Sequence, residues 1–295
     1  MKKHPPTRHG ENPGTESIRR RQPRPDRGAD WNMLDVGLAV NQRFSTWPDA
    51  GKLMRGPRPY PEFVIEDAAA IDTDLGVLKT GKEADVILLE RAVPGNRALL
   101  ASKRYRSETL RLFHRSAAYT EGRSVRRSRD ARALEKGSGF GRSVEAAGWA
   151  ASEWTCLRQC FEAGVPVPYP VQLDGTEVLM EFIGDPEHPG IAAPRLQQLH
   201  PAPDRLEGYW RQLLRAMEAM ARLGYAHGDL SPYNVLGAGD RLVIIDLPQM
   251  VDLAGNSGAM ELLKRDCANM CHWFTAHGHD ADPEELFSTM AAAAR

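Results

Sequence analysis

The chain has 295 residues, of which 42% are hydrophobic and 26% charged, and its formal net charge is −1. This composition is typical of a globular protein, and it excludes a chain that binds nucleic acid through its overall charge. The length suits one two-lobed enzyme or two small domains. No apolar run reaches the roughly 20 residues of a membrane helix, and no apolar stretch follows the first basic residues, so we expect no membrane contact, no secretory signal and a cytoplasmic location.

The N-terminal part divides into two stretches of different composition. Residues 1–30 are rich in Arg, Pro and Gly and carry almost no large apolar side chains, which predicts a disordered basic tail. Residues 31–74 carry scattered aromatic and aliphatic residues and are interpreted as an ordered N-terminal extension of unassigned fold.

Strand patterns begin near residue 75. Residues 85–89 and 98–103 predict two strands, and residues 93–96 supply the turn between them. Residues 104–142 are Arg-rich and are interpreted as a loop with some helix, in which basic residues outnumber acidic ones. This loop and the basic tail are therefore candidate contacts for RNA or another anion, although a solvated tail is the simpler interpretation.

A helix and a hairpin follow the Arg-rich stretch. Residues 143–161 show apolar positions at helical spacing, and Gly164 is expected to end the helix. The prolines within residues 165–170 favour extended backbone. A hairpin is predicted around Asp174 and Gly175.

The remaining pattern is mostly helical. Residues 204–223 predict the longest helix, with Asp204 as its cap and methionines in its buried stripe. Residues 242–246 predict a short buried strand, and residues 260–277 predict another helix. The order of elements predicts an α+β fold in which a β-rich lobe precedes a larger α-helical lobe.

The segment HGDLSPYN at residues 227–234 is the strongest chemical signal. Kinase catalytic loops carry an Asp and, five residues later, an Asn, and a metal-binding Asp follows at the end of a strand. Asp229, Asn234 and Asp246 have this order. A carboxylate at Asp229 can orient an acceptor hydroxyl and take its proton, whereas Asn234 and Asp246 supply the hard oxygen ligands that suit Mg²⁺.

Two segments of the predicted β-rich lobe suit the phosphates of ATP. In the segment TGKEADV at residues 80–86, the candidate nucleotide-binding residues are Gly81, Lys82, Glu83 and Val86. Because this segment lacks a G-x-G-x-x-G run, a plain turn is the simpler interpretation if it is considered alone. Lys103 ends the following strand, where a kinase places the lysine that holds the α- and β-phosphates, and Glu153 is its expected helical partner.

The stretch VLMEFIG at residues 178–184 leads from the hairpin into the helical lobe. Backbone groups of Glu181 and Ile183, together with Met180, are predicted to border an adenine ring. A buried strand explains the same pattern without a ligand.

Taken together, these motifs resemble the RIO family of atypical serine/threonine-protein kinases, of the RIO1-like bacterial type. The resemblance covers roughly residues 75–280 and rests on the segments 80–86, 153–170, 180–184, 227–235 and 245–246. It implies a two-lobed protein-kinase-like fold with an N-lobe at 75–182 and a reduced C-lobe at 183–295, which lacks the usual activation loop. Lys264-Arg265-Asp266 is similar to a helix start in the family, where Asp266 is expected to be structural.

The resemblance also implies what the protein does. It implies use of ATP and Mg²⁺, phosphorylation of a serine on a protein acceptor or on itself, and in some members ATPase cycling on ribosome precursors. In such members the residue that matches Asp246 accepts phosphate. Leu247 and Pro248 follow Asp246 in place of the usual Phe-Gly, and Pro248 stiffens that turn, so a switch there is not expected. Gly228 stands where many kinases have Arg, so control by a phosphorylated loop is not expected.

Two alternative functions stay open at this point. A small-molecule phosphotransferase of the aminoglycoside or choline type uses a similar HGD-x-x-x-x-N loop, and a nucleotide-binding switch would bind ATP without transfer. The segments 81–84 and 162–168 favour the RIO-like interpretation, as do the roughly 50 residues after Asp246, which leave little room for a separate substrate subdomain.

Four cysteines form two pairs at i, i+4 spacing, Cys156 with Cys160 and Cys267 with Cys271. A zinc site is one interpretation. Reduced and partly buried thiols are favoured, because structural zinc sites usually use tight C-x2-C turns.

Overall fold

A computed structural model describes residues 37–106, 139–247 and 250–294. For residues 139–144 it describes the helical backbone but not the side chains. All the elements below belong to one compact unit, Ala39–Arg295. The basic tail at 1–30, most of the Arg-rich stretch 104–142, the first residues of the N-terminal extension and Pro248 lie outside the described residues. The expectations for those stretches stay predictions.

The N-lobe is built on one antiparallel sheet of six strands. The strands are β1 Gln42–Phe44, β2 Ile71–Thr80, β3 Ala84–Val93, β4 Asn96–Tyr105, β5 Pro170–Asp174 and β6 Glu177–Glu181. Their spatial order is β1-β2-β3-β4-β6-β5. The strands predicted at 85–89 and 98–103 are confirmed as β3 and β4, and the hairpin predicted around Asp174 is confirmed as the β5–β6 pair.

The N-terminal extension joins this sheet instead of forming a separate body. β1 pairs with β2 in the register Gln42↔Thr73, and the boundary expected between residues 74 and 75 falls inside β2. Trp47 is buried and packs edge-on against Tyr60. The extension therefore supplies an edge strand and an apolar cover for the sheet.

Charged side chains are buried in the N-lobe. Arg91 and Asp72 are both almost fully buried and form a two-pronged ion pair, with Nε to Oδ1 at 2.7 Å and Nη2 to Oδ2 at 2.9 Å. The Gln172 side-chain oxygen accepts further hydrogen bonds from Arg91. This pair connects β2 to β3, and Gln172 extends the network to β5.

Helix α1, Gly139–Glu162, contains the helix predicted at 143–161 and packs against β4, β5 and β6. Its buried face includes Ala150, Trp154 and Leu157, which recur at helical spacing. Gly164 follows the helix with φ of 77°, a left-handed conformation that favours glycine. The helix thereby carries Glu153 toward β4.

The C-lobe is mainly helical, as expected. Its elements are α2 Pro203–Arg222, β7 Tyr225–Ala226, β8 Val235–Ala238, β9 Arg241–Ile244, β10 Val251–Asp252, α3 Ala259–Ala276 and α4 Pro283–Ala293. β7 pairs with β10, and β8 pairs with β9. Met217 and Met220 of α2 are buried in the core, as their positions predicted.

Two helix starts differ from the expectations. Asp204 does not cap α2, because the cap residue is Ala202. Asp204 lies in the first turn instead, where its negative charge interacts favourably with the positive end of the helix dipole. Helix α4 was not predicted, although its start carries a readable signal. Asp282 caps it by accepting a hydrogen bond from the Glu284 N–H at 2.8 Å, and Pro283 is its first residue.

The cysteines are free thiols, and three of them are buried in the main apolar cluster. Burial raises the pKa of Cys160 and of Cys267 to about 12. These environments favour protonated thiols. Within residues 37–106, 139–247 and 250–294, no helix is long and apolar enough to span a membrane.

Candidate active site

A cavity of about 630 Å³ lies against the N-lobe sheet and the start of the C-lobe. Every residue that the sequence predicted for nucleotide binding lines it: Gly81, Lys82, Glu83, Val86, Lys103, Glu153, Met180, Glu181 and Ile183. Asp246 lines it as well. These residues come from the turn between β2 and β3, from β3, β4, α1 and β6, and from the segments after β6 and β9, so the fold gathers distant motifs on one surface.

Lys103 on β4 connects two carboxylates at this cavity. Its Nζ lies 2.7 Å from Glu153 Oε1 and 2.9 Å from Asp246 Oδ1. Burial alone would lower the pKa of Lys103, but the charges of Glu153 and Asp246 outweigh it and hold that pKa above its usual value. Lys103 is therefore a fixed positive charge on the cavity wall.

Tyr105 supports this ion pair from the same face of β4, two residues beyond Lys103. Its buried hydroxyl donates a hydrogen bond to Glu153 Oε2 at 2.5 Å. Burial and the neighbouring Glu153 raise the pKa of Tyr105, so the hydroxyl stays a donor. Each oxygen of the Glu153 carboxylate thus has its own partner.

Replacing Tyr105 by phenylalanine is expected to lower kcat/KM for ATP by about 10- to 100-fold, because a hydrogen bond to a charged group contributes about 1.5–3 kcal/mol and each 1.4 kcal/mol is about a factor of ten. The Glu153 carboxylate would lose one of its two fixed partners and would hold Lys103 less rigidly. Steady-state kinetics measure the effect. The control is Tyr60→Phe, since the Tyr60 ring packs on Trp47 away from the cavity lining. Unchanged kinetics in Tyr105→Phe would contradict this positioning role.

The predicted catalytic loop follows β7. Asp229 is exposed, whereas Asn234 is buried. The Asn234 Nδ2 donates to the Asp229 carbonyl at 2.9 Å and to Asp229 Oδ2 at 3.2 Å. The structure thus brings together the two residues that the spacing paired, and it presents the Asp229 carboxylate to solvent.

Asp266 lies within α3, and its carboxylate holds the catalytic loop through two hydrogen bonds. Its Oδ2 accepts the Gly228 N–H at 2.7 Å and its Oδ1 accepts the Leu230 N–H at 2.8 Å. Burial raises the pKa of Asp266 to about 7, while the two N–H donors favour the ionised form. Gly228 has φ of 81°, a conformation that favours glycine. The contacts of Asp266 are those of a structural residue.

His227 ties the same loop to the segment before Asp246. Burial lowers the pKa of His227, which favours the neutral ring. Its Nδ1 lies 3.4 Å from the Asp229 N–H, so Nδ1 is the acceptor and Nε2 donates to the Ile245 carbonyl at 3.1 Å. His227 therefore helps to position the loop relative to the Asp246 segment, together with the Ile245 N–H, which donates to the Asn234 carbonyl at 2.9 Å.

Asp246 lies beyond the strand and not within it. The strand expected at 242–246 ends at Ile244, and Asp246 has φ of 69°, which is uncommon for a residue with a side chain. Its carboxylate contacts Lys103 and, at 3.4 Å, Lys79. Burial would raise the pKa of Asp246, but the two lysines hold it below its usual range. Such backbone strain is often found at functional sites.

Two backbone groups of the connection between the lobes are already engaged within the protein. The Glu181 N–H donates to the Tyr169 carbonyl at 2.8 Å, and the Ile183 carbonyl accepts from the Ala193 N–H at 2.9 Å. The Glu181 carboxylate also forms a two-pronged ion pair with Arg241, at 2.7 and 3.2 Å. The Glu181 side chain therefore links β6 to β9.

Comparison with known proteins decides the family. A family model described as the RIO domain matches residues 97–286. The chain belongs to the RIO family. The RIO-type serine/threonine-protein kinase Rio1 of Haloferax volcanii is 34% identical over 219 residues, which cover 74% of this chain and 68% of that protein. The human serine/threonine-protein kinase RIO1 is 31% identical over 205 residues, or 68% of this chain and 33% of that protein.

The architecture agrees with this assignment. The Rio2 kinase from Chaetomium thermophilum superposes with a TM-score of 0.50 at 20% identity, covering 75% of this chain and 67% of that chain. The two-lobed α+β kinase fold expected from the sequence is thereby confirmed. The relatives support a RIO-type serine/threonine-protein kinase and do not favour a small-molecule phosphotransferase or a switch without transfer. The bacterial type stays a prediction.

Sequence reasoning missed several residues of the RIO domain cavity. The missed lining residues include Lys79, Pro168 and a group at 192–195 and 198. Residues 192–195 lie in irregular backbone that a bridge between Gly184 and Ala192 holds, and such a bridge has no sequence signature, whereas Gln198 ends a short 3-10 helix at Leu196–Gln198. Lys79 did have a signal, since it directly precedes the segment 80–86.

Proposed function

We propose that this RIO domain transfers the γ-phosphoryl group of Mg-ATP to a serine or threonine hydroxyl, on a protein acceptor or on itself. The observation that carries the proposal is the Lys103 bridge between Glu153 and Asp246 on the wall of a cavity large enough for a nucleotide. The names of the relatives support the same activity class.

The residues fit the nucleotide. Lys103 would contact the α- and β-phosphates, and the loop at 81–83 would lie along the triphosphate. Because the Glu181 N–H and the Ile183 carbonyl are engaged within the protein, the Glu181 carbonyl and the Ile183 N–H are the groups we assign to the adenine edge.

The donor set also fits Mg²⁺, which prefers oxygen ligands. Asp246 supplies a carboxylate, and Asn234 supplies its amide oxygen because its amide nitrogen donates to Asp229. When bound, the metal neutralises negative charge on the phosphates. The exposed Asp229 carboxylate orients the acceptor hydroxyl and takes its proton.

Finer parts of the function rest on resemblance and composition. Autophosphorylation, ATPase activity and phosphate transfer to Asp246 belong to the same proposal. Contact with RNA or ribosome precursors through residues 1–30 and 104–142 rests on their basic composition. A cytoplasmic location likewise remains a prediction from the sequence.

Incubation of the purified protein with Mg²⁺ and γ-labelled ATP, without an added acceptor, tests the proposal. We expect labelled protein or released phosphate from the parent chain and only background from Asp246→Asn, because the amide lowers the negative charge at the metal site. Label that hydroxylamine removes would indicate an acyl phosphate, whereas stable label would indicate Ser or Thr. Tight ATP binding with neither label nor phosphate release, with or without added protein acceptors, would refute phosphoryl transfer.

A further inference from the structure

Lys79 on β2 faces the cavity because the strand is irregular there. Leu78 and Lys79 are consecutive residues, yet both line the cavity. A regular strand points successive side chains to opposite faces. The pairing of β2 with β3 is shifted between Val77 and Lys79, which is the signature of a bulge that changes where a side chain points.

The shifted register aligns Lys79 with Lys103. Lys79 pairs with Val86 of β3, and Val86 pairs with Lys103 of β4. Residues directly opposite in antiparallel strands extend from the same face of the sheet. The two lysines therefore form one row across three strands, and both line the same cavity.

Both ammonium groups reach the carboxylate of Asp246, one at each oxygen. Lys103 Nζ lies 2.9 Å from Oδ1, and Lys79 Nζ lies 3.4 Å from Oδ2. Lys103 is held in addition by Glu153 at 2.7 Å and its side chain is 11% exposed, whereas the Lys79 side chain is 41% exposed. Lys79 is thus the more weakly held of the two cations.

We propose that Lys79 is a second phosphate-binding lysine, which exchanges between Oδ2 of Asp246 and the triphosphate of the nucleotide. This inference rests on the proposed function, because it takes Asp246 as a metal ligand. A divalent cation held by Asp246 would compete with Lys79 for the carboxylate. Once displaced, the Lys79 ammonium would lie beside the loop at 81–83, where it would form an ion pair with the triphosphate.

The exchange predicts opposite effects on two ligands when Lys79 is removed. Mg²⁺ without nucleotide binds more tightly, because its competitor and a repelling positive charge are gone. ATP without metal binds more weakly, because one cation that attracts the phosphates is lost. A residue that merely supported the fold would weaken both ligands together.

The test titrates two ligands separately into the full chain and its Lys79→Met variant by calorimetry. The ligands are Mg²⁺ alone and ATP in the presence of EDTA. We expect Lys79→Met to tighten Mg²⁺ and to weaken ATP by about three- to fivefold each, the scale of a partly exposed ion pair. Lys79→Arg, which keeps the charge, is expected to retain the affinity for ATP. Lys52→Met is the matched control, since Lys52 is exposed and lies outside the cavity lining.

The remaining outcomes overturn the inference. Equal weakening of both ligands would make Lys79 a structural residue, and unchanged affinities would make it a solvated surface charge. In both cases binding by the parent chain leaves the proposed function intact. A parent chain that binds neither ligand would overturn the proposed function together with this inference.

Discussion

Asp229→Asn is expected to reduce the rate of phosphoryl transfer by about 10²- to 10⁴-fold, the usual contribution of a general base. The asparagine side chain keeps the shape of Asp229 but cannot take the proton of the acceptor hydroxyl. ATP binding is expected to stay unchanged, because Asp229 is exposed and is not among the described residues that line the cavity. Single-turnover labelling with γ-labelled ATP measures the rate, and equilibrium titration measures the binding.

The matched control for this substitution is Asp240→Asn. Asp240 is another exposed aspartate of the C-lobe, and its contacts are with Arg205 and Gln212. The control is expected to retain the parent rate. If Asp229→Asn lost less than about threefold in rate, well below the contribution of a general base, Asp229 would not be the base.

Arg91→Met is expected to lower the free energy of unfolding by about 3–5 kcal/mol, the cost of breaking a buried ion pair from one side. The substitution leaves the Asp72 carboxylate buried in β2 without the two N–H donors that lie 2.7 and 2.9 Å from its oxygens. Methionine fills much of the volume of the arginine stem, so the loss is mainly electrostatic. Urea denaturation followed by circular dichroism measures the change.

The double variant Arg91→Met with Asp72→Leu separates charge from packing. Removing both charges is expected to restore most of the lost stability, because an apolar pair of similar volume often replaces a buried ion pair without cost. Arg97→Met is the exposed control and is expected to change stability by less than about 1 kcal/mol, since the Arg97 side chain is 81% exposed. If the double variant were as unstable as Arg91→Met, the buried charge would not be the cause.

The catalytic motifs could be predicted from the sequence because their spacing is local. Asp229 and Asn234 lie on one short loop, where five residues of chain are enough to bring their side chains together. Lys103 and Glu153 could be predicted as a pair because one lies on a strand and the other on the helix that follows, and periodicity predicts both elements. The same periodicity predicted β3, β4, α1 and α2 and therefore the fold class.

Contacts between distant segments were decided by the tertiary structure alone. The resemblance implied a structural role for Asp266 but not its partners, since Asp266 lies 38 residues from Gly228 and binds backbone N–H groups, which leave no trace in side-chain patterns. The joining of residues 42–44 to β2 depends on which sheet edge is available. No local periodicity reports such an edge.

Strands β2 and β4 show which features the local sequence predicts and which ones depend on strand pairing. The sequence by itself predicted the RIO-like motifs, the order of the lobes and the candidate residues for ATP and Mg²⁺, because each depends on local spacing. The tertiary structure alone decided that Lys79 shares a row with Lys103 and that Tyr105 holds Glu153. A shift of one residue in strand register changes which face a side chain occupies, and that register depends on the neighbouring strands as well as on the strand's own residues.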